Sequence, residues 1–187
     1  MAGQTSSSSD MNLNTPDAIL ARFIDLSRAM GEALWCIQGV EDILAKHYVV
    51  ACKLSGNEPE EDMNAHFEEQ FRNTLGRMVK VFKKDSTPSD ELSQRLDRFT
   101  FERNWLVHRF RREEYGKLVS PSSFPNLIKR VLDLRDEAEA LTQLFNQMMI
   151  DHFVRLGCDP SLIHETLEAE EKRLMNPDNY PADPTVQ

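Results

Sequence analysis

"TPDAILARFIDLSRAMGEALWCIQGVEDIL", residues 15–44, decides the fold class. Thr15 and Pro16 suit the N-cap and first turn of a helix, and Asp17 places a carboxylate in the positive first turn. Apolar residues then recur at alternating spacings of four and three, namely Ile19, Phe23, Leu26, Met30, Ala33, Ile37, Val40 and Leu44. This period predicts a helix that runs to about Leu54 and packs one face against another helix.

Three further long helices and a short one are predicted downstream. Their bounds are about Met63 to Lys84, a Thr87 cap to about Gly116, the "SPSSFPN" loop to Gly157, and Asp159–Pro160 onward. Because the linkers are short, sequential helices should be antiparallel neighbours. The sequence therefore predicts an all-α fold, an up-and-down four-helix bundle with a short extra C-terminal helix. The domain should span residues 15–174, between a disordered tail at 1–14 and a C-terminal tail at 175–187.

Composition limits the classes of partner. The chain has 187 residues and a formal net charge of −9, which argues against broad, nonspecific binding along nucleic acid or anionic lipid. No apolar run approaches the roughly 20 residues of a membrane span, and the first residues lack the features of a signal peptide. We therefore expect a cytoplasmic protein without a membrane partner. Residues 95–112 are the exception in charge, with six arginines against Asp97 and Glu102.

No metal or cofactor is predicted from the sequence. Cys36, Cys52 and Cys158 lack a CxxC spacing, and the first two would lie roughly 24 Å apart on one helix. We therefore expect reduced, buried thiols. The acidic run at 58–62 has no histidine at a ligand interval and indicates a solvated loop. Two histidines lie four residues from a polar residue but have no third ligand, His164 with Glu168 and His66 with Gln70.

The third helix has two contrasting faces. At about 100° per residue, one sector contains Leu92, Leu96, Phe99, Leu106 and Phe110. Arg103 lies in the middle of this apolar sector, where an unpaired guanidinium is costly. The opposite face mixes aromatic and polar side chains, namely Asp97, Phe101, Asn104, His108 and Tyr115, flanked by Trp105, Arg111 and Arg112. That mixture suits a partner surface, most economically a second copy of the chain, so we expect a homodimer.

Arg103 and His108 lie roughly 140° apart on an ideal helix. A site that uses both would need the long arginine side chain to swing round or the helix to distort locally. The sequence leaves these two alternatives open.

The segment "RNWLVHRF", residues 103–110, resembles the motif of the HEPN superfamily, an arginine, usually followed by a polar residue, with a histidine four to six positions on. Many HEPN proteins are metal-independent endoribonucleases, often toxins or antiviral effectors, that act as dimers with two motifs in one cleft. The resemblance implies that His108 acts as acid or base at the RNA 2′-hydroxyl and leaving oxygen. Arg103 would neutralise the scissile phosphate, and Asn104 would orient His108 or bind phosphate.

The same resemblance suggests RNA contacts along the helix. Arg109, Arg111 and Arg112 would line an RNA path, and Trp105 or Tyr115 would stack a base. HEPN toxins paired with a nucleotidyltransferase antitoxin commonly carry a tyrosine two positions after the histidine. Here that position is Phe110, which cannot accept a nucleotide, so an antitoxin or regulatory partner would have to act by another route.

Two other functions compete with a ribonuclease. A catalytically inert HEPN-like module would bind nucleotide, RNA or a partner protein, and the acidic pI of about 5.1 favours it. A plain helical scaffold would use Arg103 only to pair with a buried acid.

Overall fold

The computed structural model describes residues 15–50, 65 and 74–175. Its helices are α1 (Pro16–Tyr48), α2 (Leu75–Ser86), α3 (Asp90–Asn104), a π-helix (Trp105–Arg109, the π segment), α4 (Phe110–Val119), α5 (Phe124–Arg155) and α6 (Pro160–Met175). The described residues contain no strand, which confirms the all-α helical bundle. The predicted tails, the acidic run at 58–62, His66 and Cys52 lie outside the described residues, as does the His164 side chain. Within these described helices, none is long and apolar enough to cross a membrane.

Helix α1 begins as its sequence predicts. The Thr15 hydroxyl accepts a hydrogen bond from the Ala18 amide at 3.2 Å, and Pro16 occupies the first helical position. The predicted apolar seam is buried from Leu26 to Leu44, except for the half-buried Met30. Phe23 is exposed instead, so the prediction is wrong for this residue, which at about 100° per residue lies at the edge of the buried sector of α1.

Helices α1 and α5 run in the same direction and supply most of the core. Glu32 contacts Arg135 at 3.0 Å and Cys36 contacts Glu139 at 3.7 Å, so both numbers rise together along the pair. A Cβ at Gly39 would lie 3.7 Å from Thr142, in ordinary contact. The two backbones therefore pack closely along their length. In the predicted up-and-down bundle successive helices alternate in direction, so the first and fourth long helices would be antiparallel. Here the corresponding helices, α1 and α5, are parallel.

The predicted second helix does not continue through Thr74. Thr74 is extended, with φ −71° and ψ 151°, and α2 begins after it, so residues 63–84 do not form one helix. Helix α2 runs antiparallel to α3, since Lys83 contacts Asp97 at 2.8 Å and a Cβ at Gly76 would lie 3.7 Å from Thr100. Helix α3 runs antiparallel to α5, since Arg95 contacts Glu137 and Glu102 contacts Arg130.

Several predicted boundaries move by a few residues. Thr87 ends α2 in the left-handed region, at φ 43°, and Ser89 caps α3 by accepting from the Leu92 amide. Thr87 is therefore not the cap of the third helix. That helix also passes Gly116 and ends at Val119. There Arg22 of α1 donates from Nε to the Leu118 carbonyl and from Nη2 to the Val119 carbonyl, at 3.1 and 3.3 Å.

The cysteines are only partly as predicted. Cys36 is half-buried on α1, but Cys158 is exposed after α5. The prediction of a buried thiol is wrong for Cys158, because it lies beyond the end of α5 at Arg155, outside the buried faces of α1 and α5.

A buried histidine closes one end of the bundle. His47 of α1 packs edge-on against Phe82 and Phe145, with ring centroids 5.7 and 5.6 Å away. Burial lowers the pKa of the His47 imidazole, and the nearby His152 and Arg155 lower it further. The cavity beside it is also lined by two carboxylates, Asp85 and Asp151. The neutral imidazole is therefore the form that the fold accommodates.

We expect the free energy of unfolding to fall as the pH decreases below about 6.5, the ordinary pKa of an unfolded histidine. The folded pKa of His47 is lowered, so between the two pKa values the unfolded chain binds the proton more readily and folding loses stability. Urea unfolding at several pH values should show a shallower loss in His47→Leu than in the wild type. Parallel losses in the two proteins would contradict this assignment.

Candidate functional site

Helix α3, the π segment and α4 follow one another without a break and form one helical rod, residues 90–119. The candidate site lies where this rod changes its helical geometry. Residues Trp105–Arg109 form a π-helix between α3 and α4. The Phe110 amide donates to the Trp105 carbonyl, five residues back, instead of the four of an α-helix. Short π segments of this kind occur mostly within α-helices and often at functional sites. The π segment falls within the quoted 103–110 stretch.

The wider turn changes which side chains share a face. Arg103 and His108 are five residues apart, and an i to i+5 turn returns the chain to nearly the same side after five residues. Both side chains line one surface pocket with Asn104 and Arg109, and the pocket also includes Thr74 and Gly76 of α2. The sequence left open a swing of the arginine side chain or a local distortion of the helix. The structure shows the local distortion.

Arg103 is held by an acidic residue of α1. Its Nη2 donates to Glu41 Oε1 at 2.9 Å, and its Nη1 donates to Asn104 Oδ1 at 3.3 Å. The two charged side chains are 20% and 27% exposed. Arg103 Nε is buried and has no hydrogen-bond partner among the described residues. The guanidinium in the apolar sector is thus paired and still reaches the pocket.

His108 is exposed at the pocket. No described residue hydrogen-bonds to its imidazole, and Asn104 turns its oxygen to Arg103. Asn104 therefore orients the arginine in this structure. A histidine that is free to turn can meet a ligand from either ring nitrogen.

The N-terminus of α2 adds positive potential to the pocket. Thr74 precedes the helix, and Gly76 lies in its first turn. The first amides of a helix lack intrahelical acceptors, and the helix dipole is positive at this end. With Arg103 and Arg109 on the opposite wall, the pocket presents several donors suited to an anion.

The prediction that Trp105 stacks an RNA base is wrong. Its side chain is 1% exposed, so it cannot stack a base, because its ring faces the interior. The Arg130 guanidinium lies 3.6 Å from the ring centroid, and Phe110 packs edge-on at 5.4 Å. Arg130 also donates to Glu102 at 2.8 Å and to the buried Glu114 at 3.5 Å. This cluster packs beneath the π segment, on the side away from the pocket.

The remaining predicted residues divide into two groups. Arg109 lines the pocket, and its guanidinium lies 4.6 Å from the centroid of the exposed Phe101 ring. Arg111, Arg112 and Tyr115 are exposed on α4 but do not line the pocket. Arg112 contacts Glu113 at 3.4 Å. The structure brings together Arg103, Asn104, His108 and Arg109.

The sequence did not reveal which residues of other helices contact Arg103 or line the pocket. Glu41 lies near the C-terminal end of a 33-residue helix, and Gly76 lies in the first turn of α2. Neither belongs to a recognisable motif. One available signal was the unpaired Arg103 in an apolar sector, which requires an acid from a neighbouring helix.

None of the family models, curated proteins or solved structures compared with this chain matches it. The resemblance to the HEPN superfamily therefore rests on the Arg103–His108 pattern in a helical bundle. The roles implied for these residues are developed below as a proposal.

Replacing Trp105 by alanine should lower the free energy of unfolding by about 3–5 kcal/mol, because the cavity left by a buried aromatic side chain is costly. Tyr115→Ala is the matched control, since this exposed aromatic should change stability by no more than about 0.5 kcal/mol. Chemical denaturation measures both. Equal effects of the two substitutions would contradict the burial of Trp105.

Proposed function

We propose that this protein is a HEPN-type, metal-independent endoribonuclease in which Arg103 and His108 act on one RNA phosphate. The observation that carries the proposal is the π segment, which places these two side chains on one pocket. An imidazole that can accept and donate a proton and a guanidinium that binds phosphoryl oxygens are the groups that such a cleavage requires.

In the proposed reaction His108 removes the proton of the 2′-hydroxyl, whose oxygen attacks the adjacent phosphorus. The bond from phosphorus to the 5′-oxygen breaks, and that oxygen takes a proton, which leaves a 2′,3′-cyclic phosphate and a 5′-hydroxyl. Arg103 stabilises the charge that develops on the phosphoryl oxygens. Glu41 and Asn104 accept from one donor each, and a guanidinium has five N–H donors, so others remain for phosphate.

A second copy of the chain would supply the other proton-transfer group in this proposal. One histidine of the pair would act as base and the other as acid at the leaving oxygen. Arg109, stacked on Phe101, would bind the RNA backbone beside the scissile phosphate. A toxin or defence role is consistent with such an activity. Phe110 packs against Trp105 and has no hydroxyl, so a regulatory partner would need another point of action.

Cleavage in the presence of EDTA tests the proposal. Varied RNAs incubated with the wild-type protein should yield fragments with 2′,3′-cyclic phosphate ends. His108→Ala and Arg103→Met should each reduce the rate by at least about 100-fold, the usual contribution of a general acid or base or of an electrostatic stabiliser. Gel analysis and mass spectrometry of the fragment ends provide the measurement.

Matched controls separate the site from the rest of the helix. Arg98→Ala removes an exposed arginine of α3, and His152→Ala removes a histidine of α5, both remote from the pocket. Both controls should cleave like the wild type. Circular dichroism should show that all four variants remain folded. Cleavage that survives both site substitutions, or absence of cleavage across the RNAs, would overturn the proposal.

A second candidate function is an inert module that binds RNA or a nucleotide. The Arg103–Glu41 ion pair favours it, because Glu41 places a negative charge next to the phosphate-binding group. The net charge of −9 also favours a small footprint.

Binding without turnover would identify this second function. Fluorescence anisotropy with a short RNA should then show affinity that His108→Ala leaves unchanged, with a tighter complex in Glu41→Gln because the competing charge is gone. A weaker complex in Glu41→Gln would instead show that the ion pair positions Arg103 for the ligand.

A further inference from the structure

Arg130 of α5 contacts the rod before, within and after the π segment. Its Nε and Nη2 donate to the Glu102 carboxylate of α3 at 2.8 and 3.1 Å, and its Nη1 donates to Glu114 of α4 at 3.5 Å. The guanidinium also lies 3.6 Å from the centroid of the Trp105 ring, in the π segment. We call these three contacts the Arg130 bridge. One side chain of α5 thus holds both halves of the rod.

The two ion pairs of the Arg130 bridge depend on the number of residues in the turn between them. Glu102 and Glu114 are twelve positions apart, which places them roughly 120° apart on an uninterrupted α-helix. The π turn contains one extra residue, so the rod rotates only about as far as eleven α-helical positions would carry it. The separation then falls to roughly 20°. Both carboxylates face α5 together, whereas an uninterrupted α-helix would turn one of them away from Arg130.

The same change of rotation brings Arg103 and His108 together. These residues are roughly 140° apart on an ideal α-helix, and the extra residue lowers the separation to roughly 40°. Both side chains therefore line one pocket. The Arg130 bridge on the inner side of the rod and the pocket on its outer side require the same helical geometry, so contacts that select the π turn also select the arrangement of the pocket.

The chemistry of the Arg130 bridge opposes relaxation to an α-helix. Glu102 receives two parallel N–H bonds, the stronger form of arginine–carboxylate pairing. The Glu114 side chain is only 6% exposed, and a buried carboxylate that loses a cationic partner is costly. Lys117 also contacts Glu114, at 2.5 Å, but both residues lie on α4 and rotate together. Only the contacts with Arg130 distinguish the two geometries.

We propose that Arg130 is a positioning residue for the candidate site, because it selects the π turn that places His108 beside Arg103. Arg130 does not line the pocket, and it acts through the backbone of the π segment. The expected effect on RNA cleavage rests on the proposed ribonuclease function. The expected effect on helical geometry does not, so the two are measured separately.

The hydrogen-bond acceptor of the Phe110 amide reports the geometry directly. In the wild type this amide donates to the Trp105 carbonyl, and in an α-helix it would donate to the Leu106 carbonyl, four residues back. NMR couplings across hydrogen bonds identify the acceptor. Arg130→Met removes the charge and the donors but keeps an unbranched side chain, and it should move the coupling to Leu106. An unchanged acceptor would overturn the proposal, whether or not the protein cleaves RNA.

Arg135→Met is the matched control for the loss of an arginine on α5. Arg135 lies five positions after Arg130, and its ion pairs go to Glu32 of α1 and to Asp136. The control therefore removes charged contacts of α5 without touching the rod. It should keep the Trp105 acceptor and the cleavage rate of the wild type. A change of acceptor in this variant as well would show that the effect is not specific to Arg130.

Glu102→Gln breaks the same bridge from the rod and leaves α5 unchanged. Glu102 is half-buried, so its neutral amide is accommodated more easily than a change at the centre of the bridge. This variant provides the measurement if Arg130→Met does not fold. It should also move the acceptor of the Phe110 amide, and an unchanged acceptor in Glu102→Gln would then overturn the proposal.

The rate of RNA cleavage tests the consequence for the site. Arg130→Met should lower kcat by at least about tenfold, because a displaced catalytic group loses much of its effect, with a smaller change in KM. Deletion of the exposed Val107 should restore cleavage in Arg130→Met. An α-helix with one residue fewer again places Arg103 and His108 about 40° apart, and loss of stability alone would not be rescued in this way.

The outcomes separate the two proposals. If the deletion of Val107 does not restore cleavage in Arg130→Met, the positioning role is wrong. If the wild type does not cleave RNA, the ribonuclease function is wrong, and the acceptor of the Phe110 amide still decides whether Arg130 selects the π turn.

Discussion

The parallel packing of α1 on α5 is the constraint on which the rest of the structure depends. These two long helices bury a continuous apolar seam, and burial of such surface is the main favourable contribution to folding. Residues 90–119 run antiparallel to both helices, as the contacts of Arg95 with Glu137 and of Glu102 with Arg130 show. Glu41 and Arg130, on opposite helices, can then reach the rod from two sides.

The π segment reconciles two demands that an α-helix would set against each other. Trp105 has to turn inward to pack beneath Arg130, while His108, three residues later, has to remain at the surface with Arg103. A wider turn satisfies both. The interior cluster and the pocket are therefore two sides of one distortion, and the burial of Trp105 offsets part of the free energy that a π turn costs.

Much of the fold could be predicted from the sequence because it depends on local signals. The cap at Thr15 and the period of the apolar seam specify α1, and similar patterns specify α5. The break at Thr74 could not be predicted, since the apolar spacing continues across it. Trp105 was misplaced for a related reason, because constant angular spacing assumes one helical geometry. Arg103 was recognised as anomalous, but only the structure identifies Glu41 as its partner.

The hydrogen bonds from Arg22 to the end of α4 have a mechanical consequence. Before the π segment, α3 is held by the ion pairs Arg95–Glu137 and Glu102–Arg130, which fix its rotation about its own axis. After the π segment, Arg22 donates to the carbonyls of Leu118 and Val119. The rod is therefore clamped against torsion at both ends. A π turn contains one more residue than an α-helical turn. In an isolated peptide the π turn could shift along the helix and disappear at a frayed end, but here the contacts at both ends prevent that shift. The π turn is held in place by contacts on both sides of it, so a ligand would bind a pocket whose helical geometry is fixed before binding.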